Sequence, residues 1–234
     1  MRYPFPTLPD YLRPGLALVF VGINPGVHSV RRGHYFSSPW SRFWPAFSRS
    51  RLGRPIRRAL GVRALGPEHD ARLLEFGIGF TDVVKRPTLN AAGLTPADAA
   101  RWAPVLLRRL RRVRPRVACF HGRTAWALFA RAALGVAPGR GALGPQPPVP
   151  ALAGTRVFVL PNPSGANAHV RPADLVRWYD RLADFLDAVA PGARRGHGRG
   201  RGARASGAPG AGATMRALRR KEPRWSLRPN RRSG

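Results

Sequence analysis

The sequence predicts an α/β protein with a three-layer α/β/α arrangement around a central, largely parallel sheet. Short apolar runs of strand length recur along residues 1–190, and segments of helical spacing separate them. That alternation builds parallel strands covered by helices on both faces. Two of the runs end in an Asn-Pro turn. Sheets of this kind bind ligands beyond the carboxyl ends of their strands.

The elements follow in order. Leu16–Ile23 (LALVFVGI) reads as a buried strand that ends in the turn Asn24-Pro25-Gly26. Trp40–Leu52 carries aromatic residues at helical spacing, with Phe43, Trp44 and Phe47 as core positions. Leu73–Val84 contains a second extended stretch, FGIGFTDVV, interrupted by Gly77 and Gly79. Thr95-Pro96 opens a helix that runs to Val113 and that Pro104 is expected to kink or divide. Arg116–His121 (RVACFH) is a third buried strand, and Gly122-Arg123-Thr124 leads into an Ala-rich helix ending at Leu134. Residues 135–154 read as a Gly/Pro loop. Arg156–Leu160 is a fourth strand, ending in Pro161-Asn162-Pro163-Ser164-Gly165. Residues 172–189 close the domain as an amphipathic helix. If the first and last strands are neighbours, both Asn-Pro turns line one crevice.

Composition narrows the function classes. The chain has 234 residues and is 44% hydrophobic, enough for one domain with a full core. No apolar run reaches the ~18–20 residues of a membrane span. The first residues lack the apolar segment of a signal peptide. The expectation is a soluble, intracellular monomer, cytoplasmic and nucleoid-associated. One cysteine, Cys119, excludes an intrachain disulfide and any Cys₄ metal site, and the six histidines form no ligand pair. No metal and no cofactor are expected. The net charge of +30 favours polyanionic partners. All but two of the basic residues are arginine, so a coding bias toward Arg, Ala, Gly and Pro produces the same excess. Charge alone leaves both readings open. Residues 191–234 hold 13 basic residues and one acid among Gly, Ala and Pro, a composition that cannot bury a core. The chain therefore divides into a folded domain, 1–190, and a basic disordered tail, 191–234.

The turns carry the chemistry. VGINPG (21–26) sits where a dinucleotide fingerprint would sit, but Asn24 occupies the place of its second glycine and obstructs a pyrophosphate. An amide on a rigid loop can instead hold a water or read a base edge. Residues 27–44 interleave Arg31, Arg32 and Arg42 with Tyr35, Phe36 and Trp40, and aromatic faces of this kind stack on extruded bases. Phe36 lies in a loop and is the stacking candidate. LPNPSGANAH (160–169) offers backbone amides near Ser164 that can grip a phosphate or a base. Asp82 ends a strand in a chain poor in acids. Its carboxylate can orient water or stabilise a cationic sugar, and a helix cap or an ion pair with Lys85 or Arg86 would explain it equally.

Together these segments resemble the mismatch-specific uracil-DNA glycosylases, the mug and thymine-DNA glycosylase branch of the uracil-DNA glycosylase superfamily. The likeness rests on GINPG, on Gly33, Phe36, Pro39 and Arg42–Trp44, and on LPNPSG. GFTDVVKRPT (79–88) and HGRTAW (121–126) add to it, and it spans about residues 16–188. The resemblance implies a uracil-DNA glycosylase-like fold and a monofunctional glycosylase that flips a uracil-like or mismatched base out of DNA. Asn24 would position the attacking water and Phe36 would stack on the base. Ser29 would lie near the pyrimidine C5 edge, and the main chain of Gly22 and Ile23 would contact the base. Asn162, Ser164 and Gly165 would clamp the DNA beside the lesion. The bulky wedge expected after NPSG is replaced by Ala166, with Ala168 two places on; either Asn167 or His169 substitutes, or the protein relies less on duplex wedging and single-stranded substrates come into play. Two rivals stand beside this reading: a damaged-DNA-binding protein that does not cut, and a hydrolase of free nucleosides.

Overall fold

A computed structural model describes residues 4–137, 143–165, 167 and 170–190. The basic segment 191–234, Ala166, Ala168 and His169 lie outside the described residues. Five strands form one sheet: β1 (Leu18–Gly22), β2 (Ile78–Asp82), β3 (Val117–His121), β4 (Gly144–Pro145) and β5 (Arg156–Leu160), in the order β2-β1-β3-β5-β4. All neighbours are parallel except β4, which pairs antiparallel with β5. The helices are α1 (Val27–Arg32), α2 (Phe43–Arg49), α3 (Gly53–Leu60), α4 (Pro96–Val113), α5 (Arg123–Leu134) and α6 (Pro172–Ala188). The result is the expected three-layer α/β/α architecture.

Side chains alternate across the sheet with the period of two that strands impose. Leu18, Phe20, Ile78, Phe80, Cys119 and Phe158 face one core, closed by α2, α3 and α6. Val19, Val21, Ala118, Phe120, Val157 and Val159 face the other, closed by α4 and α5. With both faces covered, the strand interiors are apolar, as a buried parallel sheet requires, and polar residues (Thr81, Asp82, His121, Arg156) stand toward the strand ends.

Several sequence expectations need correction. Pro104 does not divide its helix, because α4 is unbroken from Pro96 to Val113. Packing against α5 outweighs the hydrogen bond that the proline nitrogen cannot donate. The stretch around residue 76 is not all extended: Ala71–Phe76 is a 3₁₀ turn, Gly77 is left-handed, and the strand starts at Ile78. Gly79 lies inside that strand instead of interrupting it. A side chain there would collide with the Tyr11 carbonyl, which accepts from the Phe80 N–H at 3.1 Å. The stretch 135–154 contains β4 and a 3₁₀ turn at Pro150–Leu152. The short helices α1 and α3 had no counterpart in the periodicity.

The first and last long strands are also not neighbours, since β3 lies between β1 and β5. Both turns still line one cleft. Gly122, at φ +100°, ends β3 so closely against the last turn that a Cβ there would stand 3.3 Å from Asn162 Cβ.

Candidate active site

The carboxyl ends of β1, β2, β3 and β5 open into one cleft of about 1080 Å³. Gly22, Ile23, Asn24, Ser29, Phe36, Asp82, Asn162, Ser164 and Gly165 all line it, joined by Tyr35, Trp40, Thr88, Leu89 and His121.

The wall built by β1 and β2 is polar. Gly22 pairs with Asp82 across the strands, and any side chain at 22 would collide with the Asp82 carboxylate. Glycine therefore lets that carboxylate lie against the β1 backbone. Beyond the strands, the amides of Val83 and Val84 donate to the carbonyls of Gly22 (2.9 Å) and Ile23 (3.0 Å), and Thr88 N–H donates to Pro25 (3.3 Å). This zipper fixes the first turn. Asn24 Nδ2 donates to Thr88 Oγ1 at 2.7 Å and to the Arg86 carbonyl at 3.0 Å. The amide nitrogen is thus committed to the loop. Oδ1 accepts no hydrogen bond among the described residues and is the atom left for a ligand.

Asp82 is 3% exposed, and its Oδ2 has no hydrogen-bond partner among the described residues. Lys85 Nζ stands 3.6 Å from it and donates to Asp10 at 3.1 Å and to the Tyr35 hydroxyl at 3.3 Å. Burial pushes the Asp82 carboxyl up to about 6; Lys85 opposes the rise and Asp10 adds to it. The carboxyl is therefore no helix cap. It is ion-paired with Lys85 at 3.6 Å, one of the alternatives the sequence offered, while Arg86 pairs with Asp98 instead.

The wall between β1 and β3 is aromatic. Phe36 adopts a left-handed φ of +54°, a conformation that costs a bulky residue about 1 kcal/mol and concentrates at functional sites. Trp44 Nε1 holds the turn by donating to the Tyr35 carbonyl at 2.9 Å, and buried Asp70 accepts the Tyr35 N–H at 2.8 Å. One face of the Phe36 ring stacks on Phe43, with centroids 4.4 Å apart and planes 12° from parallel. His121 ends β3 with its ring 4.9 Å from Phe36. Its Nε2 meets the Tyr179 hydroxyl at 3.1 Å, while Nδ1 is buried with no partner among the described residues. Burial lowers its pKa to about 3, so the imidazole is neutral.

The last turn forms the rim. Asn162 is exposed, and its Oδ1 accepts the N–H of Ser164 at 3.0 Å. Arg42 clamps this loop: its N–H donates to the Pro163 carbonyl at 2.9 Å, and its guanidinium to the carbonyls of Gly165 (3.1 Å), Asn167 (3.2 Å) and Val170.

Against this geometry, a family model described as the uracil DNA glycosylase superfamily matches residues 9–183. The chain belongs to the uracil DNA glycosylase superfamily. Membership supports an activity of DNA-glycosylase type, a hydrolysis of N-glycosidic bonds that serves base excision repair.

Within this superfamily fold, every expected base-side residue reaches the cleft. Asn167 does not line it; its Nδ2 donates to the Asn162 carbonyl at 3.1 Å and braces the loop from within. Ala166 and His169 fall outside the described residues, as does the tail. Among the described residues no group of three His, Cys, Asp or Glu is placed to hold a metal, and no helix is long and apolar enough to cross a membrane. The sequence reading missed His121 and Thr88, and it named Tyr35 only as one aromatic among several and Lys85 only as a possible partner of Asp82. His121 carried one signal, a polar residue closing an otherwise apolar strand.

Proposed function

We propose that the protein is a monofunctional glycosylase of the mismatch-specific branch that removes uracil or a related damaged base from DNA. The single observation that carries this reading is that Asn24, whose Oδ1 accepts no hydrogen bond among the described residues, and the Lys85-paired carboxylate of Asp82 line the same cleft as Phe36. The extruded base stacks on Phe36, whose other face Phe43 already supports. Flipping costs a few kcal/mol of lost stacking and pairing. Contacts within the cleft repay it, with the main chain at Gly22 and Ile23 and the imidazole of His121 as hydrogen-bonding groups.

As the bond from C1′ to the base nitrogen stretches, its electron pair leaves with the base and the sugar becomes cationic. Asp82, ionised above pH 6, stabilises that charge. A water held by Asn24 Oδ1 adds to C1′, and its proton passes to the Asp82 carboxylate, which returns it to solvent. The departing base anion takes up a proton from solvent, so the products are the free base and an abasic site. Lys85 is 1% exposed, engaged by Asp10 and outside the cleft lining, so no lysine attacks the sugar and no strand nicking follows. The tail 191–234 adds phosphate contacts, and the protein acts as a monomer in the nucleoid.

The test incubates full-length protein with labelled single- and double-stranded oligonucleotides, each carrying one lesion, and reveals abasic sites with alkali. Abasic product from uracil is expected, with strong loss in Asn24→Ala. Tight binding without product would assign a damage-binding role. Activity on free deoxyuridine with little salt dependence would assign a nucleoside hydrolase, since DNA binding weakens steeply with salt.

A further inference from the structure

Large apolar side chains at the surface are few. Among the described residues only Trp40 (77% exposed), Leu89 (88%) and Val136 (50%) stand out, and the first two both lie on the mouth of the cleft. Trp40 is the more unusual. Its indole makes no ring contact and no hydrogen bond among the described residues, yet the chain beneath it is tightly held. Ser41 N–H donates to the Ser38 carbonyl at 2.9 Å, and Arg42 ties the following residue to the last turn. Gly165 packs directly on Trp40: a Cβ on that glycine would stand 2.6 Å from the Trp40 carbonyl oxygen and 3.0 Å from its Cβ. The backbone is fixed by the loop that ends β5, and only the ring projects.

A large flat ring held out at the mouth of a nucleic-acid cleft has a physical use. Extruding a nucleotide leaves a gap in the base stack, and apolar side chains inserted from the groove fill such gaps. Indole offers a face for the neighbouring base at little conformational cost, because its carrier loop is already ordered. The residue after Gly165 is alanine, whose methyl group covers too little area for this task.

We propose that Trp40 is the side chain that enters the DNA duplex, occupying the space vacated by the extruded nucleotide and stacking on the base beside it. The proposal rests on the glycosylase reading above and adds the duplex-reading element to it. It implies that a double-stranded substrate needs Trp40 far more than a single-stranded one, which has no stack to hold open.

The experiment compares full-length wild type, Trp40→Ala, Trp40→Phe and Leu89→Ala. One arm measures single-turnover excision from a uracil oligonucleotide in duplex and in single-stranded form. The other titrates each protein onto a duplex carrying 2-aminopurine next to the uracil and follows its fluorescence. Trp40→Ala is expected to slow duplex excision roughly tenfold to a hundredfold, with the single-strand rate within about threefold of wild type and Trp40→Phe recovering most of the loss. Wild type, but not Trp40→Ala, should change the 2-aminopurine signal, and thermal melting should be the same for all four proteins. Equal losses on both substrates, an unchanged duplex rate, or a duplex defect found in Leu89→Ala instead would overturn the assignment. If wild type releases no base, the glycosylase reading fails. The fluorescence arm still decides the inference, because wild-type binding without a Trp40-dependent change would refute it.

Discussion

Asn24 and Asn162 both precede a proline just beyond the end of a parallel strand, and both line the same cleft. The first donates its amide across 62 and 64 residues of chain, to Arg86 and Thr88. The second folds its carbonyl oxygen back onto the N–H of Ser164, two residues on. One turn is built into a wall, with its amide nitrogen spent on that wall and its oxygen accepting no hydrogen bond among the described residues. The other is a self-contained rim, held from outside by Arg42. A shared dipeptide says only that the chain turns; the segment packed against it decides whether the turn is locked into a wall or stands as a rim.

The largest effect that would break this comparison is at Asn24. Asn24→Ala should lower single-turnover excision by about 100- to 1000-fold, and lose about 1–2 kcal/mol of stability with its loop hydrogen bonds. Next is Asp82→Asn, expected to cost about 100-fold in rate. Wild-type rates should rise with pH and level off above about 6, where the carboxylate is ionised, and the variant should lose that rise. The stability sign is opposite. The folded value near 6 lies above the ordinary 3.8, so ionisation between those pH values costs stability, and at neutral pH the cost is on the order of 2–3 kcal/mol. Asp82→Asn should therefore melt higher than wild type at pH 7, and the difference should vanish below pH 4. A lower melting point would mean that Asp82 holds the fold together.

Smaller effects belong to the rim. Arg42→Ala frees the carbonyls of Gly165, Asn167 and Val170 and should weaken duplex binding by about tenfold, with less change in the rate at saturating enzyme. Asn162→Ala should weaken binding by about threefold. Gel-shift titration beside single-turnover kinetics separates affinity from rate.

The four parallel strands, their polar ends and both turns were legible in the sequence because they are local, since an apolar run of strand length followed by Asn-Pro is a complete signal, whereas the two-residue β4 was not. The core role of Phe43, Trp44 and Phe47 was legible for the same reason. The strand order was not, because nothing near residues 24 or 162 reports that β3 lies between them. His121 and Tyr179 are 58 residues apart, Lys85 and Asp10 are 75, and Arg42 reaches its carbonyls across 123–128. Those contacts exist only once the sheet has assembled. Asp82 was visible as a rare acid, but its perturbed ionisation depends on burial. Trp40 looked like one more aromatic in a run of them, and only packing distinguishes the ring left outside.

The central claim is that Asn24 serves the chemistry and Asn162 serves the DNA. Release of free uracil from a uracil-containing duplex, followed at saturating enzyme for wild type, Asn24→Ala and Asn162→Ala, tests it directly. Release by wild type is expected, with a loss of about 100-fold or more in Asn24→Ala and a rate within about threefold of wild type in Asn162→Ala. No release by wild type, or equal losses in the two variants, would contradict it.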